Sequence, residues 1–250
     1  YGTFIPALYA LIASQFMAER GVTKADLARV AVAQRKWAVR NPNARMARAG
    51  QITVEEVLAS RKIATPFNLL DCSVPCDGGG AVIVARGDLA RKWTRQPAWV
   101  LGYGEHHARG ALSDRGNLLD TGAAQAGARA LRRAGMTAAD IQVAQLYDAF
   151  SSSPLILLEE LGFCAPGEAA AFVNSGAIDP GGTLPVNTYG GLLSFGHTGD
   201  SSGMSMLTAG AQQVMGTAGP TQVGKAERVL VHTYGGIMFD HATLVLGREP

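Results

Sequence analysis

Apolar positions crowd the stretch "GTFIPALYALIASQFMAER" and break off at Gly21, which predicts a buried helix closed by glycine. The following "TKADLARVAVAQRKWAVRN" puts Leu27, Val30, Ala31 and Ala38 on one face at helical spacing, with Thr23 as N-cap, so these two helices are expected to pack together. Thr53 and Glu56 have the spacing of a capping box and predict a third helix start. Behind the turn-rich "DCSVPCDGGG", the run Ala81 to Ala85 is apolar and β-branched, and predicts a buried strand. From "AWVLGYG" onward the pattern is strand, long loop, helix over 121–134, strand over 143–147 and helix over 151–161. "SSGMSMLTAGAQQVMG" reads as a further helix, and "AERVLVHTYGGIMFDHATLVLGR" as two strands joined at Gly235 and Gly236. This alternation predicts an α/β fold. In such folds ligands sit where glycine-rich bends meet strand ends, because backbone can approach closely there.

Composition narrows the classes of function. With 47% hydrophobic and 17% charged residues, the 250-residue chain has material for a full core. A net charge of +2 gives the whole chain no strong attraction to nucleic acid. No apolar run reaches the roughly 18 residues of a membrane helix, and no signal-peptide pattern opens the chain, so a cytoplasmic setting without membrane insertion is expected. Cys72, Cys76 and Cys164 are odd in number and unevenly placed, which argues against a disulfide framework. Cys72 and Cys76 lack two further ligands at zinc spacing, so no metal is expected.

Three segments carry candidate chemistry. "QLYDAFSSSP" puts Tyr147, Asp148 and three serines where a strand gives way to a helix, a place for an N-cap or for a polar site over free amide groups. "VNTYGGLLSFGHTGDSSGM" packs five glycines around His197, which reads either as a turn histidine or as a base held between two bends. "VHTYGGIM" ends an apolar strand with His232, which needs a partner or solvent there and reads either as a satisfied core histidine or as a functional one.

The order of these three segments resembles the C-terminal half of the thiolase superfamily, in the branch of sterol-carrier-protein-type thiolases and thiolase-like lipid-transfer proteins. The family motif Asn-x-x-Gly-Gly-x-x-x-x-Gly-His matches Asn187, Gly190, Gly191, Gly196 and His197 in register. "LARVAVAQRKWAVRNPNA", "ITVEEVLASRKIATPFNLLDCSVPCDGGGAVIV" and "LGFCAPGEAAAFVNSGAI" are similar to segments of the same branch, so the resemblance covers nearly the whole chain. It implies a thiolase-type fold of α-β-α-β-α layers with an incomplete N-terminal half. Residues 1–96 would form the helical excursion and last strand of that half, and residues 97–250 the C-terminal half.

The resemblance also implies roles. His197 would take the proton of a catalytic cysteine and help hold a thioester oxygen; an imidazole beside a thiol of pKa near 8.5 raises its reactive thiolate fraction. Tyr147 stands where relatives carry Asn or His on the thioester oxygen. His232 would shuttle the proton at the carbon next to the carbonyl, a transfer that imidazole suits near neutral pH. Asn187, Tyr189, Gly190, Gly191, Tyr234, Gly235 and Gly236 would line the substrate site, with Tyr189 and Tyr234 as alternative acids. The implied reaction is Claisen-type carbon–carbon cleavage or formation on acyl-CoA by an acyltransferase. Alternatives are a retro-aldol lyase acting on a β-hydroxyacyl-CoA and a lipid or acyl-CoA carrier without catalysis. Coenzyme A would be a substrate and no cofactor would be permanently bound. A homodimer is implied, and a small accessory protein with an OB-fold and zinc ribbon is a further partner of this branch.

The chain departs from the family at the nucleophile, since none of its three cysteines matches that motif. The family cysteine lies in the N-terminal half, and a chain starting at Tyr1 without methionine is expected to be a fragment, inactive alone. Arg29, Arg35, Lys36, Arg40, Arg45 and Arg48 run without an acidic residue between Asp26 and Glu55, a pattern of a solvated face or of phosphate recognition. The resemblance favours coenzyme A phosphates at Arg35, Lys36 and Arg40; Trp37 alone gives no platform for nucleic acid. "GDSSG" lacks the all-β context of a serine protease, and "GYGEHHARG" lacks the third glycine of a dinucleotide loop, which leaves His106 and His107 as loop residues.

Overall fold

A computed structural model describes residues 4–107 and 112–250 and has mixed α/β architecture. The end of "GYGEHHARG" lies outside the described residues. Helix α1 (Ile5–Arg20) has a proline in its first turn and closes on Gly21 at φ 68. Helix α2 (Lys24–Ala38) starts from a reciprocal capping box between Thr23 and Asp26, and α3 (Val54–Ala59) from one between Thr53 and Glu56. Leu27, Val30, Ala31 and Ala38 are all buried. Two short strands, β1 (Lys62–Ala64) and β2 (Phe67–Asn68), pair antiparallel, and α4 (Gly87–Trp93) follows a segment without regular secondary structure.

The main sheet then forms. Its strands are β3 (Trp99–His107), β4 (Val143–Leu146), β5 (Arg228–Gly235) and β6 (Asp240–Gly247), in the order β3-β6-β5-β4. Only β4 and β5 run parallel. Between β3 and β4 lies α5 (Ala123–Ala134); α6 (Ser152–Glu160), α7 (Ala169–Asn174) and α8 (Ser202–Met215) lie between β4 and β5. Alternation along β5 sends Val229 and Val231 against Gly210 of α8, and Leu230 and Tyr234 into the larger core with α1, α2 and α6. Helix α5 lies directly on β3: a Cβ at Gly104 would stand 2.1 Å from the Ala126 carbonyl oxygen. Residues before and after position 96 share this larger core.

One predicted strand is absent. Residues 81–85 have no regular secondary structure, and Ile83 and Val84 are 87% and 86% exposed. Among the described residues no strand stands beside them to accept their hydrogen bonds, and apolar composition alone does not make a strand. For the same reason the described residues hold one main sheet, between α8 on one face and α5 and α6 on the other, with α1 and α2 packed beyond α6. Strand β4 stops at Leu146, which frees Tyr147, and the β5–β6 turn extends over residues 236–239.

Candidate active site at the ends of strands β4 and β5

Tyr147 leaves β4 with its N–H still donating to the His232 carbonyl, 3.1 Å away. The loop that brings His197 to it is fixed by three close fits. Asn187, fully buried at φ 53, acts as a substitute strand: its Oδ1 accepts from Leu146 N–H at 2.6 Å and its Nδ2 donates to Leu146 C=O at 2.7 Å. Gly190, at φ 112, lets the loop touch α2, where a Cβ would meet Ala38 Cβ at 2.9 Å. Gly191, at φ 61, makes room for the Asp148 carboxyl, 2.1 Å from where its Cβ would stand. Asp148 in turn accepts from Leu192 N–H at 2.7 Å. Burial pushes Asp148 up to about 8, against the pull of the backbone hydrogen bonds it accepts.

His197 is then stitched edge to edge with residues 74–76: its N–H donates to Val74 C=O at 2.7 Å and its C=O accepts from Cys76 N–H at 3.0 Å. Its ring meets Tyr147 at right angles, with Nε2 3.0 Å from the Tyr147 hydroxyl. Gly199 N–H donates to Nδ1 at 3.3 Å, so the neutral ring carries its proton on Nε2 and donates it to the Tyr147 oxygen. Burial holds His197 below its ordinary range, keeping that neutral form at pH 7.

Tyr147 also packs on Tyr234, with ring centroids 4.6 Å apart. Tyr234 is buried and donates to Ser153 Oγ at 2.8 Å. The two phenols differ in their surroundings. Burial raises Tyr147, opposed by Ser202 and reinforced by the charges of Asp148 and Asp200; Tyr234, more deeply buried, is raised well above its ordinary value.

His232 points elsewhere in chemical terms. Its ring is fully buried, with Nδ1 2.8 Å from Thr243 Oγ1 and Nε2 3.0 Å from His241 Nδ1. Both nitrogens are occupied, and burial and its His241 neighbour hold it well below the usual range. Tyr189 packs edge-on against Phe195 in the wall of a cleft of about 570 Å³ that also includes Asn41, Arg45, Cys76 and Thr198. That cleft reaches the neighbours of His197 without including Tyr147, His197 or Tyr234 in its wall. Gly236, at φ 60, accepts a hydrogen bond on its carbonyl and leaves no room for a Cβ beside Phe239; Gly235 makes only ordinary contacts. Arg35 is buried on Ser194 Oγ and the Gly50 carbonyl, Lys36 pairs with Asp179 at 2.5 Å, and Arg40 lies over Trp37. None of the three reaches the tyrosines. His106 and His107 are not loop residues: they end strand β3, paired with His241 and Asp240 of β6, where the His107 ring meets Asp240 in solvent and His106 lies against Gly122.

Reading the chain missed Tyr9. It lies in α1, stacks against Phe150 at 4.6 Å, faces Tyr234 at 6.3 Å and donates to the Gly236 carbonyl at 3.1 Å. Nothing separates it in sequence from the apolar residues around it. The thiols of Cys72 and Cys164 are pushed up to about 12 by burial, and Cys72 donates to the Asn68 carbonyl. Among the described residues no thiol is hydrogen-bonded to His197.

A family model described as thiolase C-terminal domain-like matches residues 104–248. The acetyl-CoA acetyltransferase of Methanothermobacter thermautotrophicus is 36% identical over 236 residues, which cover 94% of this chain and 61% of that protein. The 17-hydroxy-3-oxo-4-pregnene-20-carboxyl-CoA lyase of Mycobacterium tuberculosis is 36% identical over 247 residues, covering 95% of this chain and 62% of the lyase. Among solved structures, the Ltp2-ChsH2(DUF35) aldolase superposes with a TM-score of 0.90 at 34% identity, covering 99% of this chain and 64% of that one. The chain thus spans less than two thirds of the length of each of these relatives.

Proposed function

Because the chain belongs to the thiolase superfamily, we propose that it forms the acid–base half of an enzyme that breaks a carbon–carbon bond of a coenzyme A thioester, by retro-aldol cleavage of a β-hydroxyacyl-CoA. The observation that carries this reading is the contact of two phenols with unlike surroundings, Tyr147 under the His197 Nε2–H and Tyr234 fully buried. Paired groups whose environments push them apart divide into base and acid. Burial raises both phenols, Tyr147 the less, so the Tyr147 phenolate, held by the imidazole N–H, is the form whose share grows with pH and which takes the proton of the substrate β-hydroxyl. The Cα–Cβ bond breaks, a carbonyl forms at Cβ, and the electron pair moves to Cα as a thioester enolate. Tyr234 gives its proton to Cα. The cycle ends with Tyr147 protonated and Tyr234 ionised, and return of one proton from Tyr147 to Tyr234 resets the site.

The thiolytic reading asks His197 Nε2 to face a thiolate, whereas here that nitrogen faces Tyr147. The 36% identity to an acetyl-CoA acetyltransferase keeps it as the competing outcome. An acyl-CoA substrate, a cytoplasmic setting and a homodimer belong to the same proposal. An accessory OB-fold and zinc-ribbon protein belongs to it as well, supported by the two-component name of the similar Ltp2-ChsH2(DUF35) aldolase.

The test is turnover by the natural full-length protein, with its accessory partner, of a β-hydroxyacyl-CoA bearing a tertiary hydroxyl, followed by ketone and acyl-CoA release. Tyr147→Phe and Tyr234→Phe are each expected to lower kcat by about 10²-fold or more, the size of an acid–base contribution. CoA-dependent thiolysis of a 3-oxoacyl-CoA that survives Tyr147→Phe, with no cleavage of the hydroxy substrate, overturns the reading in favour of the thiolase. Binding of acyl-CoA with neither reaction leaves only the carrier.

A further inference from the structure

We propose that Ser153 of α6 is a positioning residue for Tyr234, accepting its hydrogen at rest and donating back to its oxygen once that hydrogen has gone to Cα; this rests on the retro-aldol reading above. The contact is direct. Tyr234 donates to Ser153 Oγ at 2.8 Å, and both residues are buried, Ser153 completely. A serine hydroxyl carries one hydrogen and two lone pairs and rotates about its bond, so the same oxygen serves a phenol as acceptor and a phenolate as donor. The residue stays in place while its hydroxyl turns. Its N–H donates to the Phe150 carbonyl at 3.0 Å in the first turn of α6, and the next position, Pro154, has no N–H. At these two positions the hydroxyl is the donor left for Tyr234.

The need for a donor follows from the proton transfer. When the Tyr234 O–H bond breaks and the Cα–H bond forms, the electron pair stays on the oxygen of a buried side chain, where an unpartnered charge is costly. The other rings around Tyr234 are engaged elsewhere. Tyr9 from α1, with its centroid 6.3 Å away, donates to the Gly236 carbonyl at 3.1 Å. Tyr147, at 4.6 Å, has its oxygen on His197 Nε2, and His241 from β6, at 5.8 Å, has Nδ1 against His232 Nε2. Burial raises Tyr234 most, and the Ser153 hydrogen bond opposes it, the direction of a partner that favours the phenolate. In the first turn of the nine-residue α6, Ser153 also meets that charge at the positive end of a helix.

Ser153 works in one step only, after the carbon–carbon bond has broken, and this separates it from a packing role. Ser153→Ala removes one oxygen atom and keeps the rest of the side chain. In the full-length protein with its accessory partner, it is expected to lower kcat about tenfold, the size of a hydrogen bond to a charged group, with KM within about twofold. Deuterium uptake from D2O at Cα of the product acyl-CoA, which needs an ionised Tyr234 and no ketone, should fall by a similar factor. Ketone formed in the first turnover should keep the wild-type rate within about twofold, so that a burst of ketone precedes the slow steady state. Equal slowing of all three overturns the assignment and leaves Ser153 a packing residue; no slowing overturns it as well. If Tyr234→Phe cleaves as fast as the wild type, the retro-aldol reading falls and Ser153 with it. If Tyr234→Phe abolishes cleavage while Ser153→Ala changes nothing, only the role of Ser153 falls.

Discussion

Residues 81–85 and strand β4 are both short apolar runs behind a turn, yet their fates are opposite. "AVIVA" has the higher β-propensity of the two, while "VAQL" includes a glutamine. The weaker sequence is the strand. It pairs with β5 along Val143–Leu146, and its free edge is closed by Val186 and by the side chain of Asn187. Its glutamine is held inside the core by one hydrogen bond, Nε2 donating to Thr188 Oγ1 at 2.9 Å, while its buried Oε1 finds no partner among the described residues. Strand formation is a property of the pair, and β4 owes the exposed end that carries Tyr147 to neighbours 40 to 90 residues away, as its pairings with Val186 and with Val229–His232 record. The difference between these two regions can be attacked at three strengths.

The largest effect is expected at the edge clamp. Asn187→Ala leaves Leu146 N–H and C=O without partners in a site from which water is excluded. Each such group costs about 1–3 kcal/mol, and an alanine at φ 53 adds about 1 kcal/mol. A total near 4 kcal/mol corresponds to a Tm lower by roughly 8–16 °C for a chain of this size. Thermal unfolding followed by circular dichroism measures it. A drop under about 2 °C means that β4 does not depend on its amide clamp.

A smaller, pH-dependent effect belongs to Asp148, the next link from β4 to His197. Its pKa is raised from 3.8 to about 8 in the folded chain, first by burial, so its contribution to stability is full below 3.8 and is lost progressively as pH rises to about 8. Asp148→Asn stays neutral throughout. It begins with a fixed cost, because the amide nitrogen cannot accept from Leu193 N–H. From pH 5 to 8 the variant should gain on the wild type by roughly 1 kcal/mol per pH unit and then run parallel to it. Denaturant midpoints at pH 5, 6.5, 8 and 9 read this out; a constant difference across that range means Asp148 ionises in the fold as it does in water.

How far the sequence foretold the molecule follows the same division between local and paired interactions. Helix starts were legible because a capping box is complete within four residues, as at Thr53–Glu56, and the end of α1 because Gly21 takes a left-handed φ. The family was legible in motif order; the contact of Tyr147 with His197 shows only in the fold. The fate of His232 was not, because the partners that occupy its ring, Thr243 and His241, come from register with β6. Asn187 carries the polarity of a ligand contact and spends it on the backbone of Leu146, a use that shows only once its φ is known. Arg35 read as a cation for phosphate and is buried against Ser194. Tyr9 lay inside an apolar helix pattern, 227 positions from the carbonyl it holds.

The smallest effect sharpens the comparison most. Leu146→Ala removes a fully buried side chain from β4, a change that costs about 3 kcal/mol in a close-packed core. Ile83→Ala removes a similar volume from a side chain that is 87% exposed, and such surface changes stay within about 0.5 kcal/mol. Measured side by side in this 250-residue chain, the two variants should therefore differ by at least about sixfold in ΔΔG. An Ile83→Ala cost above about 1.5 kcal/mol would mean that residues 81–85 find a covering surface in solution, and that the strand their composition announces is waiting only for its pair.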